Sequence, residues 1–102
     1  MVRARKPSAQ TIAVLDALLA AAPAWRHGYD LITNAGIASG TLYPLLIRLA
    51  DRGFVETRWE NATQPGRPPR HLYRLTGAGV AYATEQVAAG RAAKRSKGLA
   101  IT

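Results

Sequence analysis

A chain of 102 residues has room for one hydrophobic core and no second domain, because chains split into separate cores only when they are longer. Hydrophobic residues make up 48% and charged residues 20%, the composition of a chain that folds rather than of a disordered one. Fourteen Lys and Arg against six Asp and Glu leave a formal charge of +8, so a polyanion is the first partner to consider; the lack of cysteine excludes disulfides, thiolate catalysis and zinc fingers, and fits an intracellular, cytoplasmic protein.

Residues 1–7 form a short basic arm with Arg3, Arg5 and Lys6. Basic residues ahead of the apolar run from Ile12 to Ala24 imitate a secretory signal, but Asp16 interrupts that run and Pro23 closes it. The run is also too short and too rich in alanine to span a membrane, so no membrane partner is expected. The spacing predicts a helix from Ser8 to Ala22, with Pro7 and Ser8 as stop and cap and Pro23 as its end. Ile12, Leu15, Leu19 and Ala22 fall on one stripe, Val14 and Leu18 on a neighbouring one. That arc is wider than one packing partner requires, which points to a second surface such as another subunit. Trp25 and Tyr29 follow; they are candidates for a small-molecule effector pocket, against the plainer reading that aromatics fill a core. His27 to Ala35 reads as a short second helix ended by Gly36.

Ala38 to Gly53 is the most informative stretch. Ser39 or Thr41 can cap it, and Leu42, Leu45, Leu46 and Leu49 recur at the spacing of a helix with one buried stripe. Pro44 is tolerated only near a first turn, where the missing N–H costs little. Opposite the leucines fall Gly40, Pro44, Ile47 and Asp51, with Tyr43 on one shoulder and Thr41 and Arg48 on the other. The outer face therefore opens with small, hydrogen-bonding and aromatic groups.

After Gly53, FVETRWE alternates Val55, Thr57 and Trp59 against Phe54, Glu56, Arg58 and Glu60, and HLYRL from His71 to Leu75 repeats the pattern of a strand. The turn-forming segment between them holds Arg67 and Arg70 around Pro68 and Pro69, whose stiff extended backbone projects both guanidiniums. Arg58 and Arg74 are expected near Glu56 and Glu60 across the strands, where mutual pairing competes with any other role. Thr76 caps a last helix through Ala93, with Val80, Ala83, Thr84 and Val87 as a weak stripe. Residues 94–102 read as a basic tail that frays.

Three helices, a two-stranded hairpin and a fourth helix make a mainly α fold with a small β-hairpin, the order of a winged helix-turn-helix over residues 8–93. Its second and third helices form the helix-turn-helix. The N-terminal end of the third would enter a major groove, where Ser39, Gly40, Thr41 and Tyr43 suit phosphate approach and base edges. His27 and His71 lack the partners that a metal site or an acid/base pair requires, and no glycine-rich phosphate loop follows a strand. Neither an enzyme nor a cofactor is expected.

The residues SGTLYPLLIRLADRGFVETRWE, then PGRPPRHLYRLTGAG, together with the earlier HGYDLI, resemble the PadR family of bacterial transcriptional regulators over about Trp25 to Tyr82. The resemblance implies a winged-helix homodimer that binds an inverted repeat in double-stranded DNA, as a repressor released by a small ligand. On the matching positions it implies DNA contacts by Ser39, Thr41 and Tyr43 on the recognition helix and by Arg67 and Arg70 on the wing. It also implies a dimer interface joining the first and last helices. Combined with the helical faces read above, the expected DNA-binding set is Ser39, Gly40, Thr41, Tyr43, Pro44, Arg48, Arg67 and Arg70, and the dimerisation set is Ile12, Leu15, Leu19, Val80 and Val87. The chain departs from the family after the YRLT threonine, where Gly77 and Ala78 replace the usual proline and glutamate and weaken the helix start. It also resembles the compact members, which lack a longer C-terminal helical region.

The alternative is an architectural protein that uses the same charge on nucleic acid without a preferred site. A protein-interaction module on the same scaffold would leave the basic wing unexplained.

Overall fold

The computed structural model describes residues 7–60, 65–66 and 69–101. Among them are four helices and three strands in the order α1 (Ala9–Ala21), β1 (Arg26–His27), α2 (Gly28–Ala35), α3 (Ser39–Asp51), β2 (Val55–Glu60), β3 (Arg70–Leu75) and α4 (Gly77–Ile101). This is the winged-helix arrangement of a mainly α chain. Among these residues no helix is long and apolar enough to cross a membrane.

Ser8 caps α1 as its residue type demands: its hydroxyl accepts from the Thr11 backbone N–H at 3.1 Å. Val14, Leu15 and Leu18 are all buried, because α1 packs against α4, α2 and β3 at once. The wide apolar arc of this helix is thus largely consumed within the protomer. Each fully buried leucine contributes about 1.5–3 kcal/mol through the water it leaves.

The hairpin acquires a third strand. Arg26 and His27 pair antiparallel with Tyr73 and Leu72, giving a sheet in the order β1-β3-β2. His27, expected in the second helix, belongs instead to this strand and stands just before α2. A two-residue strand is too short to show alternation, so only the tertiary pairing reveals it. In the β2–β3 register Val55 faces Leu75, Thr57 faces Tyr73 and Trp59 faces His71. Val55, Tyr73 and Leu75 reach the core, while Trp59 at the outer end of the same face is 65% exposed and stacks on His71 at 4.3 Å.

Expectations for α3 and α4 change as well. Ala38, not Ser39 or Thr41, occupies the N-cap of α3: its carbonyl accepts from Thr41 and Leu42, and no side chain caps this end. Pro44 then sits in the second turn rather than the first, so the bond that an ordinary residue there would give the Gly40 carbonyl is missing. Helix α4 continues past Ala93 to Ile101, since Ala, Lys and Arg are all good helix formers. Within it Ala83 and Val87 are buried, but Thr84 is exposed and donates its hydroxyl to the Val80 carbonyl at 2.7 Å.

Thr76 joins the sheet to α4. Its hydroxyl donates to the Gly53 carbonyl at 2.7 Å and accepts from the Gly79 N–H at 2.9 Å, while its own N–H bonds the Phe54 carbonyl at 3.0 Å. A Cβ at Gly79 would overlap the Phe54 carbonyl oxygen, so the first turn of α4 lies directly on the α3–β2 turn. The ring of Tyr82, one turn on, stacks on Phe54 at 4.1 Å.

Candidate nucleic-acid interface

Helix α2 ends at Gly36, whose φ of 68° is the left-handed conformation that glycine adopts without strain. The chain then turns into α3. Leu42, Leu45, Leu46 and Leu49 are buried, which fixes the opposite face toward solvent. Ser39, Gly40, Tyr43, Pro44 and Arg48 are exposed there and Thr41 is half-buried. Because Ala38 supplies the N-cap position without a side-chain bond, the Ser39 hydroxyl is not committed to capping. Ile47, left without a role by its sequence position, is 61% exposed on this face.

Tyr43 leans from α3 onto the start of α2. A Cβ at Gly28 would stand 2.5 Å from its hydroxyl oxygen, so only glycine leaves room for this ring. Periodicity gives no signal for such a contact, although glycine at a helix start without a positive φ is a clue that a neighbour comes close. Tyr43 and Arg70, from helix and wing, line one open cleft of about 330 Å³ with Tyr29, His71 and Tyr73. The Tyr73 hydroxyl lies 3.0 Å from His71 Nδ1. Burial, and then the nearby Tyr43 phenol, push the pKa of Tyr73 above the ordinary tyrosine value.

Arg70 is exposed, and among the described residues no carboxylate pairs with it. Glu60 stands directly opposite Arg70 in the register, yet its carboxylate lies 3.3 Å from His27 Nε2 instead. Arg74 pairs with Glu56 at 3.3 Å, as expected, whereas Arg58 faces Leu72 across the ladder. Both guanidiniums cover Trp25, at 4.6 Å for Arg58 and 4.4 Å for Arg74. Trp25 and Tyr29 are therefore not brought together: the first lies beneath two arginines, and the second, 76% exposed, lines the cleft beside α3. Arg67 lies outside the described residues. Arg48 borders a different cleft, with Arg52, Thr11 and Tyr82.

Of the residues expected to join two subunits, Leu15 and Val87 are buried in the protomer's own core. Ile12, Leu19 and Val80 are half-buried. Ile12 and Val87 line a groove of about 650 Å³ between α1 and α4, closed at one edge by Arg91 and Asp16 at 3.8 Å.

A family model for the Transcriptional regulator PadR-like family matches residues 17–85. The chain belongs to this PadR-like family. Among solved structures it is similar to a PadR family transcriptional regulator from Eggerthella lenta DSM 2243, at 28% identity and a TM-score of 0.73, over 91% of this chain and 84% of that one. It is similar as well to a PadR-like transcription factor from Bacteroides fragilis, at 27% identity and a TM-score of 0.66, over 86% and 85% of the two chains. Bacillus subtilis PadR in complex with operator DNA shares the fold at 23% identity and a TM-score of 0.60, over 74% of this chain and 44% of that one. A search of curated proteins gave no match. The PadR-like match covers α2, α3 and both long strands, the elements that build the cleft and its exposed helix face.

Proposed function

We propose that this PadR-like regulator is a homodimeric, sequence-specific repressor that binds an inverted repeat in double-stranded DNA. The observation that carries the reading is the shared cleft of Tyr43 and Arg70, which sets an exposed helix start beside a cationic wing strand. Short side chains at Ser39, Gly40 and Thr41 allow the start of α3 to approach base edges closely. Arg70, Arg48 and, from its place in the sequence, Arg67 supply phosphate contacts that set register and affinity. The operator complex of Bacillus subtilis PadR supports DNA as the partner. Two copies would meet through α1 and α4, using Ile12, Leu19 and Val80, whose side chains the protomer leaves half-covered.

Duplex binding at several salt concentrations, on a selected site and on random sequence, tests the proposal. Affinity for both falls steeply with salt. Thr41→Ala costs roughly 1–3 kcal/mol on the selected site and little on random duplex. Equal losses on both would leave Thr41 as a positioning residue and favour the architectural alternative.

A further inference from the structure

His27 stands between two carboxylates: its Nδ1 is 3.5 Å from Asp30 in the first turn of α2, and its Nε2 is 3.3 Å from Glu60 at the end of β2. Directly across the ladder from Glu60 is Arg70. Facing residues of an antiparallel pair lie on the same side of the sheet, close enough for opposite charges to meet. Glu60 thus has two basic partners within reach, and in this structure it is with His27.

We infer that His27 and Glu60 are positioning residues for Arg70: protonated His27 holds Glu60 away from Arg70 and leaves the guanidinium available to a DNA phosphate, and neutral His27 releases Glu60 to pair with it. The inference rests on the DNA-binding reading above. Its chemistry is that of the imidazole. A protonated ring carries an N–H on both nitrogens and donates to Asp30 and Glu60 together; a neutral ring carries one N–H and turns a lone pair toward the other carboxylate. The freed Glu60 carboxylate then neutralises the wing cation that faces it.

Besides Asp30, the titratable groups that line this cleft with His27, among the described residues, are Tyr29 on α2, Tyr43 on α3, and Arg70, His71 and Tyr73 on β3. His71 is a second imidazole on the same cleft. A pH profile of the wild type alone therefore does not isolate the exchange, but the coupling between Glu60 and Arg70 does.

The experiment measures Kd for a mixed-sequence duplex of about 30 base pairs, at about pH 6 and about pH 8, for the wild type, Glu60→Gln, Arg70→Gln and the double variant. Glu60→Gln is expected to tighten binding about threefold more at the higher pH than at the lower, the size of an exposed ion pair. That excess disappears in the Arg70→Gln background. In His27→Gln, which cannot hold Glu60 by charge, the Glu60–Arg70 coupling is the same at both pH values. An effect of Glu60→Gln that is equal at both pH values, or an excess that survives Arg70→Gln, overturns the exchange while DNA binding stands. A wild type that binds no duplex at either pH overturns the DNA-binding reading, and the exchange with it.

Discussion

Gly28 and Tyr43 are fitted to each other across the helix-turn-helix: a Cβ at residue 28 would stand 2.5 Å from the Tyr43 hydroxyl oxygen. The contact fixes where the one aromatic ring of α3 points. It links a backbone requirement in one helix to side-chain aim in the next.

Gly28→Ala is expected to leave stability within about 1 kcal/mol of the wild type, because the obstructing atom is the far end of a flexible side chain and alanine is the better helix former. Duplex affinity on the selected site falls nonetheless, since Tyr43 is turned out of the cleft. The loss matches that of Tyr43→Ala, and the double variant is no worse than either single one. Thermal unfolding and duplex titration of the three variants check this; additive losses would separate the two residues.

At the other junction the obstruction is backbone. Gly79→Ala would press into the Phe54 carbonyl, which cannot move without shifting the α3–β2 turn, and it is expected to destabilise by about 2 kcal/mol or more. Gly77→Ala, with nothing within 4 Å of the added atom, is expected to be neutral or to stabilise by about 0.4–1 kcal/mol. Denaturant midpoints of the pair distinguish a packing requirement at Gly79 from a general intolerance at this helix start.

Tyr73 sets an alkaline limit. Burial first, then Tyr43, raise its pKa in the folded chain, so the fold favours the neutral phenol. Below the ordinary tyrosine range folded and unfolded chains both keep the proton, and this contribution is fully present. As pH rises through the unfolded value toward the folded one, the unfolded chain loses its proton first and stability declines. Urea unfolding at a series of pH values above about 9 should show that decline in the wild type and a shallower one in Tyr73→Phe.

If the proposed DNA-binding role holds, Arg70 and Thr41 are expected to divide affinity from discrimination. Arg70→Ala is expected to weaken selected and random duplexes alike and to reduce the slope of log affinity against log salt by about one. A loss confined to the selected site would instead make Arg70 a base-reading residue.

Much of this fold is legible in the sequence because its signals are local. Ser8 and Pro23 bracket α1, the leucine spacing sets the buried face of α3, and Gly36 marks the turn before it. The alternation of β2 and β3 likewise needs no tertiary knowledge. What escapes is set by contacts between distant residues. The strand Arg26–His27 exists only by pairing with β3, and the aim of Tyr43 depends on an atom that Gly28 lacks. Trp25 and Tyr29 are four positions apart, yet Trp25 lies under Arg58 and Arg74 and Tyr29 beside Tyr43. The length of α4 is obscured in the sequence by its glycines and its charge, although most of its residues favour a helix.

The measurement that bears most directly on the central claim is selection of randomised duplex DNA by the purified protein at near-physiological salt, followed by sequencing of the retained pool. A two-fold symmetric motif with half-sites about one helical turn apart is expected to be enriched. A pool that stays random while retention remains strong would contradict that claim and leave an architectural DNA-binding protein in its place.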